Sequence, residues 1–189
     1  SPKYRKNSQF GIKLSGGSSL AALAAGLVLG GGMLTAPSAY ALTGIVATGS
    51  GPGPLTVSAP AVVTESAGDG INATNNAPGT DLTIRATDVS GSDDGIDARN
   101  NGTGALSVTS TGSVTGADLG IRANNFGTHL TIAAASVSGN TGINARNDGT
   151  GSLLVTANGT VNGSFRGVVA RNQSAGLHLD IKVVDVTGG

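Results

Sequence analysis

The sequence predicts an all-β protein: a right-handed parallel β-helix, or solenoid, of about six coils, preceded by a signal peptide. The main observation is a repeated phrase of Gly, Ile, any residue, Ala, any residue and Asn, which begins at Gly44, Gly70, Gly95, Gly120, Gly142 and Gly167. The composition agrees, because 32 glycines and 3% aromatic residues leave little for a conventional globular core. A fixed period of about two dozen residues is typical of a solenoid, in which each coil buries its apolar face only against its neighbours.

The first 41 residues have a different pattern. Basic residues at Lys3, Arg5, Lys6 and Lys13 precede an apolar run from Leu20 to Leu34, and small residues follow at Ala39 and Ala41. This is the three-part form of a secretory signal peptide. A transmembrane anchor is the alternative, but the run is shorter than the ~20 residues that span a bilayer. We expect a signal peptide at 1–41 that is cleaved after Ala41 and a repeat region at 42–189 with 7 basic and 11 acidic residues, a net charge of −4.

The phrase itself predicts the first strand of each coil. Its second column holds Ile, or Val in the last coil, its fourth holds Ala, and its sixth holds Asn75, Asn100, Asn125, Asn147 and Asn172, with Gly49 in the first coil. Positions two apart in a strand point to the same side, so the Asn column faces inward with the apolar columns. Stacked amides can pass hydrogen bonds from coil to coil. We therefore expect a structural ladder, which requires parallel, in-register stacking.

Two further strands complete each predicted coil. The second has apolar outer residues around a mostly polar centre, as in Leu82-Thr83-Ile84, and the third is marked by a column of Val62, Val89, Val114, Val137, Val161 and Val186. Three strands joined by glycine-containing bends make a parallel β-helix. The right-handed sense follows from the strong preference of parallel crossovers. Because the array stops at a repeat boundary without a distinct cap, we expect it to continue beyond residue 189.

Few residues carry chemistry. The chain has no Cys and only two histidines, His129 and His178, so we expect no catalytic site, metal site or cofactor. The best acidic cluster is Asp93, Asp94 and Asp97, with Asp69 and Asp118 in the neighbouring coils. A calcium site or a pair of catalytic carboxylates would need these oxygens to converge. The alternative is that Asp caps turn amides, and the sequence favours this interpretation.

Basic residues are concentrated on one predicted face. The outward columns of the first strand, together with one residue just before the last phrase, place there Arg99, Arg122, Arg146, Arg166 and Arg171. Neighbouring coils bring like charges close together unless an anion lies between them. This stripe is a hypothetical site for an anionic ligand such as a surface glycan, and the alternative is a solvated face partly balanced by Asp97 beside Arg122. The acidic net charge gives no reason to expect nucleic acid.

The export leader followed by Gly-Ile-x-Ala-x-Asn, Leu-Thr-Ile and Val-x-Gly coils resembles the N-terminal passenger region of a Gram-negative autotransporter. The resemblance implies export and display at the cell surface or outer membrane, or release, through an outer-membrane β-barrel of the same full-length chain. It also implies a non-catalytic role in adhesion or as a structural stalk. The alternative from the residues is a secreted carbohydrate-active β-helix protein similar to a polysaccharide lyase or hydrolase.

Overall fold

The computed structural model describes residues 42–173 and 176–189, together with the backbone of 11–13 and 32–35. The rest of the predicted signal peptide, including Ala39 and Ala41, lies outside the described residues. All regular elements of the described part are strands, which confirms the all-β class. The described residues contain no helix long and apolar enough to cross a membrane.

Fourteen strands are described, and they lengthen along the chain. They are β1 (Gly11–Lys13), β2 (Gly32–Thr35), β3 (Ile45–Gly49), β4 (Leu55–Ala59), β5 (Val63–Thr64), β6 (Ile71–Asn75), β7 (Leu82–Ala86), β8 (Val89–Ser90), β9 (Ile96–Asn100), β10 (Leu106–Thr115), β11 (Leu119–Asn125), β12 (Leu130–Asn147), β13 (Leu153–Asn172) and β14 (Leu179–Gly188). The long strands β12 and β13 each run through three sides of the rod, with shifts in register where they bend.

The strands stack in parallel, coil upon coil. The phrase strand is paired in register through β3, β6, β9, β11 and the last parts of β12 and β13. The second strand is paired in register through β2, β4, β7, β10, β12, β13 and β14. Only β1 pairs antiparallel among the described strands, against β3. These pairings confirm a parallel β-solenoid of about six coils, which we number 1 to 6 from the phrases at Gly44 to Gly167, whereas its right-handed sense stays a prediction.

The core is a set of narrow apolar columns inside the rod. The Ile and Ala columns of the phrase are at most 4% exposed in coils 1 to 5, and the Leu and Val or Ile residues of the second strand are buried in β4 to β13. At β14 the same columns are exposed, with Leu179 at 48% and Ile181 at 45%, because no described coil lies on their far side. Each coil is therefore completed only by the next one.

The glycine that opens each phrase has a steric reason. A Cβ added to Gly120 would lie 2.6 Å from the carbonyl oxygen of Gly142 in the next coil and would also meet the Val137 side chain. A Cβ on Gly95 would lie 2.6 Å from the Gly120 oxygen. No side chain fits between the backbones of neighbouring coils at this position, so the close stacking of coils explains why glycine recurs at that column.

One prediction about the third strand is wrong. The third apolar column was expected to begin at Val62, but Val63 pairs with Val89 and is fully buried, whereas Val62 is 46% exposed. The bend between the second and third strands varies by one residue from coil to coil. In a strand, a shift of one residue exchanges the buried and exposed faces. Two adjacent valines leave that choice open in the sequence.

Candidate functional site

The inward Asn column forms a continuous ladder of side-chain hydrogen bonds. The Nδ2 atom of each Asn donates to the Oδ1 atom of the Asn in the next coil, at 3.1 Å from Asn75 to Asn100, 3.1 Å from Asn100 to Asn125, 2.8 Å from Asn125 to Asn147 and 2.9 Å from Asn147 to Asn172. Each Nδ2 also donates to one or two backbone oxygens of the bend after its strand, for example Gly104 and Ala105 from Asn100. The ladder therefore joins consecutive coils and also fixes the bends between first and second strands.

The ladder begins at an unpaired acceptor. The Oδ1 atom of Asn75 is buried and has no hydrogen-bond partner among the described residues, because the preceding coil has Gly49 at this column. A Cβ at Gly49 would lie 2.7 Å from that oxygen. The space that an Asn side chain would fill in coil 1 is thus occupied by the end of the Asn75 amide.

The amino-end corner, which we define as the bend entering each phrase, is held by carboxylates. Asp69 accepts a hydrogen bond from the backbone N–H of Asp94 at 3.1 Å, and Asp94 accepts one from the N–H of Leu119 at 3.0 Å. Each acceptor lies one coil before its donor. The second oxygen of Asp69 accepts from Asn72 Nδ2 at 2.7 Å. These carboxylates thus bond to amides, as expected for Asp residues that cap bends.

Arg122 lies over this corner and pairs with two carboxylates of the preceding coil. Its Nη2 atom is 3.2 Å from Asp94 Oδ2, and its Nη1 atom is 3.6 Å from Asp97 Oδ2. Asp94 is only 2% exposed. Burial raises the pKa of Asp94 from 3.8 to about 6 against the opposing effects of Arg122 and the Leu119 amide, and burial also raises the pKa of Asp97.

Three carboxylates meet at the same corner. Oxygens of Asp93, Asp94 and Asp118 lie within 4.8 Å of one another. Asp93 and Asp118 are exposed, but both oxygens of Asp94 are already engaged, one by the Leu119 amide and one by Arg122. An acidic cluster of this kind offers a cation few free oxygens compared with the six to eight that calcium takes.

The carboxyl-end corner, which we define as the fifth, sixth and seventh columns of the phrase, has a different character. Its sixth column is the Asn ladder, and its outward columns carry cations, amides and one ring. Arg99 donates from Nε to Asn101 Oδ1 at 2.8 Å, and its guanidinium carbon lies 4.9 Å from the centre of the Phe126 ring in the next coil. Phe126 is 43% exposed. Arg99 is thus oriented by one hydrogen bond and one cation–π contact.

Two more arginines follow in the same column. Arg146 donates from Nε to Asp148 Oδ1 at 2.8 Å, which repeats the contact between Arg99 and the residue two positions further along. Arg171 pairs with Arg146 in the strand register and is exposed, and its side chain has no partner among the described residues. Two guanidinium side chains therefore start from backbone positions ~4.8 Å apart, and only Arg146 is paired with a carboxylate among the described residues.

The five predicted stripe residues do not form one column. Arg99, Arg146 and Arg171 share the fifth column, and Arg122 lies two positions earlier and is paired with acids. Arg166 lies inside β13 directly before the last phrase, in register with Thr141. The Arg166 guanidinium carbon is 4.5 Å from the ring centre of its neighbour Phe165. The proposed role of these residues in ligand binding is untested by this geometry and stays a prediction.

Two residues that contact the arginines could not be identified from the sequence. Asp94 was grouped with the other acids, although it is the buried partner of Arg122, and Phe126, which contacts Arg99, belongs to no repeated column of the sequence. The one signal available was position, since Phe126 follows directly after a ladder Asn. Comparison of the chain with protein-family models, with curated proteins and with solved structures gave no match.

Proposed function

We propose that this chain is an exported, non-catalytic β-solenoid displayed at the surface of a Gram-negative bacterium, where it acts in adhesion or surface contact. Export rests on the leader pattern at 1–41, and display rests on the resemblance to an autotransporter passenger. The outer-membrane barrel and a glycan partner belong to the same proposal. The single observation that supports a non-catalytic role is the regular register of the coils. The coils are paired through all six phrases, and no long insertion interrupts them.

The engagement of the acidic residues supports the same proposal. A polysaccharide-cleaving solenoid needs free carboxylates positioned around a scissile bond. Here the buried Asp94 bonds to a backbone amide and to Arg122, and Asp69 bonds to an amide and to Asn72. The purified chain can be assayed for release of reducing ends from a polysaccharide. Release that is lost in Asp93→Asn with Asp118→Asn would favour the enzyme alternative instead.

Display can be tested by cysteine labelling, because the chain has no Cys. The complete reading frame, with any cysteine outside residues 1–189 replaced by serine, carries Thr111→Cys at an exposed position where the register of β10 shifts. It is expressed in a Gram-negative host, and intact cells are treated with a membrane-impermeant maleimide. The matched control is Ala123→Cys, at a fully buried position. We expect Thr111→Cys to react on intact cells and Ala123→Cys to react only after denaturation. Reaction of Thr111→Cys only after lysis would contradict display.

Adhesion and a purely structural stalk can be separated by two variants. Deletion of residues 70–94 removes one coil and joins Asp69 to Gly95, which restores the Asp-Gly junction that precedes the phrase in coil 3. It shortens the rod by ~4.8 Å and leaves the fifth-column arginines in place. Both adhesion and a stalk predict that cells attach normally after this deletion, so it is the control for a change in the rod itself. Arg99→Glu with Arg146→Glu separates them, because adhesion predicts poor attachment and a stalk predicts normal attachment.

A further inference from the structure

We propose that the outward side of the carboxyl-end corner in coils 3 to 6 binds an acidic saccharide, meaning a sugar chain that carries carboxylate or sulfate groups. Arg99, Arg146 and Arg171 would contact its anionic groups, and Phe126 would pack against a sugar ring. This deepens the proposed role in surface contact and rests on it, but it concerns binding by the isolated chain.

The guanidinium groups of Arg99 and Arg146 are oriented for an additional partner. In both residues Nε is taken by the side chain two positions further along the strand, Asn101 or Asp148. None of the described residues accepts a hydrogen bond from the terminal Nη atoms of either residue. A guanidinium held through Nε presents its two Nη groups as a fork, and that fork matches the paired oxygens of a carboxylate or sulfate.

The coil between these two arginines supplies polar and aromatic contacts. Asn124 is in register with Arg99 on one side and with Arg146 on the other, and its side-chain amide has no partner among the described residues. Phe126, in the adjacent outward column, has 43% of its surface exposed. An amide can both donate to and accept from sugar hydroxyls, and an aromatic ring packs on the apolar face of a sugar.

The spacing of the cations suits a polymer better than a single anion. Arg99 and Arg146 lie two coils apart, which is ~10 Å at the backbone, and Arg171 lies one coil further at ~5 Å. Two sugar units of an extended polysaccharide span a comparable length. The three arginines face one carboxylate, Asp148, whereas Arg122 is neutralised by Asp94 and Asp97. The corner is therefore a local cationic surface on a region with a net charge of −4.

A membrane or a nucleic acid fits these features less well. Both offer phosphates, which the arginines could bind, but a lipid headgroup offers no ring to pack against Phe126. A nucleic acid does offer rings, but it is not the partner expected of a protein displayed at the cell surface, on which this proposal rests. The proposal therefore commits to a saccharide, and a phosphate surface becomes one outcome of the test.

The test measures binding of the full chain to four probes: polygalacturonate, dextran sulfate, uncharged dextran, and vesicles that contain phosphatidylglycerol. We expect binding to polygalacturonate or dextran sulfate and none to dextran. Arg99→Gln with Arg146→Gln should weaken the binding roughly tenfold or more, as expected for loss of charge-assisted hydrogen bonds. The matched control is Arg85→Gln, which removes an exposed charge from the second strand, and it should leave affinity unchanged.

A second variant separates a saccharide from a bare anion site. Phe126→Leu keeps an apolar side chain under Arg99 but removes the aromatic face, so it should weaken binding to the polysaccharides severalfold. Equal loss in Arg85→Gln, an unchanged affinity in Phe126→Leu, or arginine-dependent binding to the vesicles that matches the polysaccharides would each overturn the proposal. Absence of binding to both acidic polysaccharides would overturn it as well and would leave the labelling result on intact cells unaffected.

Discussion

The two ends of the repeated strand hold successive coils together in different ways. At the amino-end corner the contact is made by carboxylates, because Asp69 and Asp94 each accept the backbone N–H of a residue in the following coil. At the carboxyl-end corner the contact lies inside the rod, where the Asn side chains bond to one another. On the outward side of that corner Asn101 Nδ2 also donates to Asn76 Oδ1 of the preceding coil at 3.0 Å, but the continuous set of side-chain bonds between coils is the inward ladder.

This difference explains why acidic and basic residues behave differently here. At the amino-end corner Asp69 and Asp94 bond to backbone amides, and Arg122 pairs with Asp94 and Asp97, so these three carboxylates make contacts within the fold. The outward residues at the carboxyl-end corner bond mainly to each other, as Arg99 does to Asn101 and Arg146 does to Asp148. An inward ladder leaves the outer surface free to vary, and surface positions that are free to vary can be used for binding.

The strongest test of the comparison uses two neighbouring asparagines that face opposite ways. Asn100→Ala removes a fully buried rung and leaves the Asn125 Oδ1 atom and the Gly102 N–H without their partners. Each such buried group costs about 1–3 kcal/mol, so we expect a loss of about 3 kcal/mol in the free energy of unfolding, measured by urea denaturation. Asn101→Ala, on the outward side, removes only the less buried bonds to Asn76 and from Arg99 and should cost about 1 kcal/mol. Equal losses would contradict the division between inner and outer positions.

The next effect concerns the close approach at the amino-end corner. Gly120→Ala would bring a Cβ to 2.6 Å from the Gly142 oxygen and 2.8 Å from the Ser138 oxygen, so the coils would have to separate locally. Forced overpacking of this kind costs about 1–3 kcal/mol. Gly53→Ala is the control, since its Cβ would meet no atom within 4 Å. The urea midpoint should fall for Gly120→Ala and stay within experimental error of the parent for Gly53→Ala.

A third prediction uses pH at the same corner. Burial raises the pKa of Asp94 from 3.8 to about 6, so the folded chain binds this proton more tightly than the unfolded chain does. The contribution of Asp94 to the free energy of unfolding should therefore fall as pH rises from 3.8 to about 6, and it should stay constant above that pH. Asp94→Asn should reduce this dependence of the urea midpoint, whereas Asp118→Asn, at an exposed carboxylate, should leave it in place. An unchanged pH profile in Asp94→Asn would show that Asp94 titrates near its ordinary pKa.

The columns were predictable because they repeat, and the corners were less so because they do not. Asn100 and its equivalents could be placed inside the rod from the spacing alone, since alternation in a strand fixes the side on which each residue lies. The choice between Val62 and Val63 could not be made, because it depends on the length of one bend. The pairing of Arg122 with Asp94 depends on the directions of two side chains in neighbouring coils, which no periodic pattern records.

The smallest expected effect is at the outward side of the carboxyl-end corner. Arg146 and Asp148 make a good contact at 2.8 Å, but the Arg146 side chain is 50% exposed. Exposed ion pairs contribute little because water and salt screen them, so a double-mutant cycle of Arg146→Ala and Asp148→Ala should give a coupling energy within about 0.5 kcal/mol. A coupling of about 2 kcal/mol or more, well above the roughly 1 kcal/mol that exposed pairs reach, would mean that this pair stabilises the bend after the strand of its own coil. The outward residues of this corner would then have a structural role, and Arg146 would need no ligand to explain it.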